Sequence, residues 1–247
     1  MPKSWITVTT TLPLSLGDQA RSKDSDAHTE ILTPRLLIRP LTLSDLVPFH
    51  RLRSQPEFMK HTTSGLPDKD LSQTQQKLES LIDAPRREDQ FPFPTYFGVF
   101  LRETGELIGD GGIHLRASPA CGWPELGCKF GREYCGAGYG TEFFRAFTSW
   151  WWSLPRQREG EVGSSAKPAL VQIRVHPDSV IWEEGESGGR AVEQLYCWVT
   201  PDNLASQSMV IKTGFEHFIN WEHPVKGIAV MGWRQNRHRR SVYPAKL

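Results

Sequence analysis

Between a β-prone segment and a helical one lies Cys135-Gly136-Ala137-Gly138-Tyr139-Gly140, with glycines at alternate positions. A strand-to-helix loop of this kind gathers successive backbone N–H groups and the positive end of a helix dipole, and glycine permits the close approach that a phosphate needs. Taken alone, the segment reads equally well as a plain tight turn. Spacing removes two nucleotide motifs. A G-x-G-x-x-G fingerprint needs glycine where Thr141 stands, and a P-loop needs Gly-Lys-Ser/Thr, which is absent. The Cys135 thiol offers a different chemistry, because a helix N-terminus can lower a thiol pKa and the thiolate is a nucleophile.

The elements that must position this loop follow from hydrophobic period and punctuation. Leu36-Leu37-Ile38-Arg39 reads as a strand, and Thr42 to Asp45 supplies N-cap residues before Leu46, Phe49, His50 and Leu52 at helical spacing. A second helix is predicted over Asp70 to Ile82. Thr95 to Leu101 and Leu107 to Gly109 form a hairpin around Glu103-Thr104-Gly105-Glu106, and Pro124 to Phe130 is the strand that leads into the loop. After the loop, Thr141 to Trp152 places Phe143, Phe144, Phe147, Trp150 and Trp151 on one broad helical face. Such a stripe reads as core before it reads as an aromatic cage. Val192 to Val199 is a strand, Asn203 to Thr213 a helix closed by Gly214, and Ile228 to Trp233 a last strand.

Three stretches stand apart. Residues 1–30 read as an extension, polar and mobile from Gly17 to Glu30, with Ile6-Thr7-Val8 able to add a strand. Residues 154–190 are rich in Gly, Ser, Pro and charge around the β-like Ala169 to Val175, too long for an ordinary connection, and read as an insertion. Arg234 to Arg240 is a basic tail without interleaved aromatics, so a solvated tail is expected rather than an RNA-binding platform. Residues 31–247 then make one domain.

Composition bounds the partners. The 247 residues are 38% hydrophobic with a formal net charge of +1, which argues against a field drawing the chain to nucleic acid or an anionic membrane. No run approaches the roughly 20 apolar residues of a membrane span. Cys121, Cys128, Cys135 and Cys197 form no C-x-x-C pair and have no histidines at ligand spacing, so neither zinc nor a disulfide framework is expected, and a cytoplasmic protein with reduced thiols is.

Several segments in order resemble the GNAT superfamily of N-acetyltransferases, in particular the branch containing ribosomal-protein N-terminal acetyltransferases. Thr33-Pro34-Arg35-Leu36-Leu37-Ile38-Arg39-Pro40 is similar to its opening strand, Gly105 to Gly109 to its third and Glu125-Leu126-Gly127 to its fourth. Gly138 and Gly140 fit the Q/R-x-x-G-x-G/A signature with Cys135 at its first position, and Asn203 to Ser206 with Lys212-Thr213-Gly214-Phe215 matches the N-x-x-S…K-x-G-F ending. The resemblance implies an α/β fold with a mixed, mostly antiparallel central sheet, a splayed strand pair and helices on both faces. It also implies acetyl-CoA as co-substrate and a primary amine, on a small molecule or a protein N-terminus, as acceptor.

By that resemblance, Glu125 is the base that neutralises the incoming ammonium, with Asp110 and His114 as lesser candidates. Backbone N–H groups near Gly127 and Cys128 serve the oxyanion. The cofactor contacts are Gly127, Cys128, Lys129 and Phe130 on the strand, Cys135, Gly136, Ala137, Gly138, Tyr139, Gly140 and Thr141 in the loop, and Asn203 and Ser206 at the later helix. The family's usual tyrosine acid is replaced by Val210, so Ser206 is the substitute proton donor, and its position also suits a helix start behind Asn203. No metal is expected, and the chain is a monomer or homodimer. The alternative function is a catalytically silent CoA-binding module of the same fold.

Overall fold

The structure, a computed structural model, describes residues 4–13, 30–60, 62, 64–87, 90–156, 169–184 and 189–237. The chain divides into two compact units, one of Gly17–His114 with Gly127–Trp151, the other of Met1–Leu16, Leu115–Leu126 and Trp152–Leu247.

In the first unit, β2 (Ile31–Leu32), β3 (Leu36–Arg39), β4 (Tyr96–Leu101) and β5 (Leu107–Leu115) pair antiparallel in sequence order. Between β3 and β4 come α1 (Leu46–Arg53), α2 (Pro56–Met59) and α3 (Leu71–Ile82). Asp70 caps α3, its carboxylate accepting from the Gln73 amide at 2.9 Å. Phe49, Leu52 and Leu78 of these helices bury against Phe100 and Leu107 of the strands. Phe97, an odd step earlier on β4, points the other way. It meets Phe147 and Trp150 of α4 (Tyr139–Ser153) at ring distances of 6.0 and 5.3 Å, so helices cover both faces of this part of the sheet. Phe143, Phe144, Phe147, Trp150, Trp151 and Trp152 are all buried, which makes the aromatic stripe core and leaves no cage.

One buried polar feature stiffens the same unit. Arg53 forks onto Asp68 with bonds of 2.6 and 2.9 Å, and the Thr74 hydroxyl donates to the same carboxylate at 2.7 Å. Burial would raise the Asp68 pKa, but Arg53 and Thr74 outweigh it and hold the group below its ordinary range.

In the second unit, β8 (Gln194–Val199), β10 (Ala229–Asn236) and β9 (Glu216–Glu222) are antiparallel neighbours, and α5 (Leu204–Lys212) precedes β9. Asn203 caps α5, and Gly214, at φ +86°, ends it as its position after Thr213 predicts. β1 (Ile6–Thr11) pairs antiparallel with β7 (Leu170–Val175), so the β-prone start of the chain and the strand inside the 154–190 stretch complete each other. Trp123, Tyr196, Val8 and Val175 form the core beneath them.

β6 (Glu125–Phe130) contributes its first two residues to the second unit and the rest to the first. The eight-stranded order is β2-β3-β4-β5-β6-β8-β10-β9, mostly antiparallel, as the resemblance implies. β6 and β8 run parallel, and among the described residues they register only at Glu125 opposite Tyr196.

Two boundaries differ from the sequence reading. β9 has no clear apolar alternation, because Glu216 to Glu222 is half-buried along most of its length, and it was not anticipated. β10 continues past Trp233 to Asn236, so Arg234 belongs to the sheet rather than to a tail; its guanidinium pairs with Glu216 at 2.8 Å across the β9 register. The polar stretch expected to be mobile, apart from Glu30, and the tail beyond Arg237 lie outside the described residues.

Phe147 is fully buried among Phe97, Phe143, Trp150 and Trp151. Phe147→Ala is expected to destabilise the protein by about 3–5 kcal/mol, read from the shift of the urea unfolding midpoint at unchanged slope.

Candidate functional site

The glycine loop lies wholly in the first unit. Gly136 and Gly138 adopt φ of +81° and +84°, the left-handed region that side chains disfavour. The demand is conformational rather than steric. A Cβ on Gly136 would meet nothing within 4 Å, and one on Gly138 only the Arg35 Nη2 at 3.5 Å. The space over the loop is therefore open on the side of these two residues. Helix α4 begins at once, at Tyr139, and the first four N–H groups of a helix have no intrahelical acceptor. Two turns of backbone with open surroundings, next to a helix start, fit a pyrophosphate.

What holds the loop is a carboxylate in the first turn of α4. Glu142 Oε1 accepts from the Thr33 hydroxyl at 2.6 Å and from the Arg35 amide at 3.0 Å, while Oε2 accepts from Arg35 Nε at 2.7 Å. Arg35 in turn donates from Nη1 to the Ala137 carbonyl at 3.0 Å and lies over the Tyr139 ring at 4.4 Å. Its half-exposed cation thus sits beside the loop and pins one loop carbonyl. Burial works to raise the Glu142 pKa, but Thr33 and both Arg35 donors prevail and keep it below its ordinary 4.5. Phe130 stacks on Tyr139 from the other strand, with centroids 6.4 Å apart.

The Cys135 thiol does not have the setting of a nucleophile. It lies before the helix rather than at its first turn, and partial burial with the Glu133 carboxylate raises its pKa. The Cys128 thiol is raised further, by burial first and the Asp110 charge second.

Asp110 and His114 are placed on β5. Asp110 is buried rather than solvated, paired with Lys129 Nζ at 3.2 Å, and its Oδ1 makes no hydrogen bond among the described residues. Beside it, burial and the Asp110 charge hold the Tyr96 hydroxyl well above its ordinary pKa. His114 packs edge-on against Tyr96 at 6.4 Å. The Lys129 side chain is thus committed to Asp110 and to the Phe58 ring, 4.7 Å away.

Glu125 and the Asn203–Ser206 pair belong to the second unit. Glu125 is only 2% exposed, which removes the reading of a solvated strand end. Its Oε2 accepts from the Ser118 hydroxyl at 2.5 Å and its Oε1 from the Trp198 indole N–H at 2.8 Å. The register explains the second bond. Tyr196 lies opposite Glu125, and Trp198 is two residues further on the same face of β8. Asn203 Oδ1 accepts from the Ser206 amide at 3.1 Å, so Asn203 caps α5 with Ser206 at N3; the Ser206 side chain stays half-buried. Val210, at the position of the usual tyrosine, is buried in the same helix.

Sequence reasoning did not single out Arg35, Glu142, Ser118 or Trp198 as site residues. Arg35 and Glu142 were within reach, since each sits inside a quoted motif or directly after the loop. Ser118 and Trp198 were not, because only the fold brings them to Glu125.

The chain belongs to the acetyltransferase (GNAT) domain family, whose model matches residues 35–216. Acetyl-CoA is the co-substrate of that family. Among solved structures, a GNAT-family acetyltransferase from Bacillus anthracis superposes with a TM-score of 0.56 at 15% identity, covering 85% of this chain and 99% of that one. A Vibrio cholerae protein assigned as a ribosomal-protein-serine acetyltransferase gives 0.53 at 16% identity, covering 84% and 97%. AAC(6')-Ib in complex with ribostamycin and coenzyme A gives 0.53 at 15%, covering 86% and 99%. At these identities the likeness is one of fold. No curated protein matches.

Because the Glu142 pKa is lower folded than unfolded, its contribution to stability is complete above about pH 4.5 and is lost as pH falls through the folded value. Glu142→Gln is expected to raise the acetyl-CoA Kd roughly tenfold, about 1.4 kcal/mol by titration calorimetry, and to flatten the acid side of the stability curve. Cys135→Ala is expected to leave turnover within about threefold of the parent, whereas a covalent acetyl-cysteine route would lose it almost completely.

Proposed function

We propose that this chain is an acetyl-CoA-dependent N-acetyltransferase that transfers the acetyl group directly to a primary amine, on a small molecule or a protein N-terminus. The observation that supports it most is Glu125: a buried carboxylate, hydrogen-bonded through both oxygens, at the start of the strand where the resembled proteins place their base. The two units are read as one GNAT domain, since the family match runs through both. The four free thiols agree with a reduced, cytoplasmic setting. Among the described residues, no helix is long and apolar enough to cross a membrane. The ribosomal-protein acetyltransferase branch is favoured by the Thr33 to Pro40 opening and the Asn203 to Phe215 ending.

The loop from Cys135 to Thr141, with Arg35 beside it, holds the phosphates, and Gly127 to Phe130 are cofactor contacts in the same unit; for Asn203 and Ser206 the support is the motif resemblance alone. Bound acetyl-CoA supplies the activated acetyl group. Glu125 takes a proton from the acceptor ammonium, which leaves the amine lone pair free to attack. A backbone N–H near Gly127 or Cys128 serves the charge that develops on the acetyl oxygen. Ser206 supplies a hydroxyl as proton donor in the role that Val210 cannot fill.

Calorimetry with acetyl-CoA, followed by detection of free CoA across a panel of amines, tests the reading. Glu125→Gln is expected to lower kcat/KM by about 10²–10⁴ while leaving the acetyl-CoA Kd unchanged. Absence of acetyl-CoA binding by the folded protein overturns the proposal. Binding without turnover on any amine favours the silent CoA-binding module, whose support is Val210 in place of the usual tyrosine and Cys135 at the first signature position.

A further inference from the structure

The environment of Glu125 has a feature that the base role alone does not require. A carboxylate at 2% exposure has lost nearly all its water, a loss that costs several kcal/mol unless donors replace the solvent. Two neutral donors contribute, one to each oxygen: the Ser118 hydroxyl at 2.5 Å and the Trp198 indole N–H at 2.8 Å. Each is itself fixed. Ser118 is buried in the turn before β6, where its Oγ accepts from the Ala120 amide at 3.2 Å and its backbone N–H donates to the Trp123 carbonyl at 2.9 Å. Trp198 is held in β8, with His223 edge-on against its ring at 5.1 Å and the Lys226 ammonium 5.2 Å above it. An indole N–H can only donate, and the Ser118 hydroxyl donates to Glu125 while its oxygen accepts from Ala120. Both bonds therefore prefer the ionised carboxylate, and together they fix the plane of the group.

We propose that Ser118 and Trp198 are positioning residues that hold Glu125 ionised and in one orientation, so that a carboxylate buried away from water still functions as the proton acceptor of the reaction. The inference rests on Glu125 being the base. Four titratable groups face this pair or its carboxylate among the described residues. Cys121 and Tyr196 feel its charge, but burial pushes both far up, and they stay neutral across the working range. Lys226 is half-buried; burial lowers its pKa and the Glu125 charge opposes that change. His223 faces Trp198 edge-on at 5.1 Å, so its contribution has to be separated.

The test uses the full chain labelled with ¹³C at glutamate Cδ, titrated by NMR between pH 4 and 9, with Glu125→Gln identifying the Glu125 signal. This readout needs no acceptor. Trp198→Phe keeps the ring and removes the N–H, and Ser118→Ala removes the hydroxyl at little cost in volume. Each is expected to move the Glu125 midpoint up by about one pH unit, with Ser118→Thr returning it toward the parent and His223→Gln leaving it in place. The acid limb of kcat/KM on the best amine of the panel should move in parallel, while the KM for acetyl-CoA stays unchanged. A Glu125 midpoint that does not move in either Trp198→Phe or Ser118→Ala overturns the inference, since a purely structural role would alter unfolding but not this titration. Full turnover in Glu125→Gln overturns the base reading instead, and the two failures are therefore distinguishable.

Discussion

The Glu142 carboxylate is the interaction on which the candidate cofactor site depends. It stands in the first turn of α4, where the helix dipole favours an anion, and accepts from three donors supplied by Thr33 and Arg35 at the entrance to β3. The loop between Cys135 and Tyr139 has little to hold it otherwise, because its glycines bring no side chains. One acidic residue thus converts a flexible turn into a fixed one, and it recruits a guanidinium to the loop without spending that cation on a fully buried pair.

The two units carry two kinds of electrostatics. Around the loop, in the first, the charges of Arg35 and Glu142 are partly exposed and paired. Around Glu125 the charge is buried, and two neutral donors, the Ser118 hydroxyl and the Trp198 indole N–H, each meet one of its oxygens.

Much of the fold was legible in the sequence, since it rests on local signals. Asp70 at its cap, the aromatic stripe of α4, Asn203 and Gly214 around α5, and the β-prone Ile6 to Val8 each sit where period and punctuation put them. The misses are of another kind. β9 is half-buried and polar, so it has no alternation to read, and Arg234 looked like tail because its partner Glu216 lies in that unread strand. In the site, the loop and Glu125 were visible as motifs, but Ser118 and Trp198 reach Glu125 through a turn and a parallel register that no local pattern encodes. The setting of Cys135 was hidden for a comparable reason: partial burial and Glu133 raise its thiol pKa, and neither shows in the motif.

The pairing of β1 with β7 has a consequence for synthesis. Ile6 finds its partner at Val175, so the first strand leaves the ribosome long before the strand that completes it. At about 5–20 residues per second, that delay is on the order of ten seconds or more, during which the β1 hydrogen-bonding edge is open to other chains. Four of its six residues are threonine, so the strand has high β-propensity and no charge to guard that edge until Leu170 to Val175 has been made.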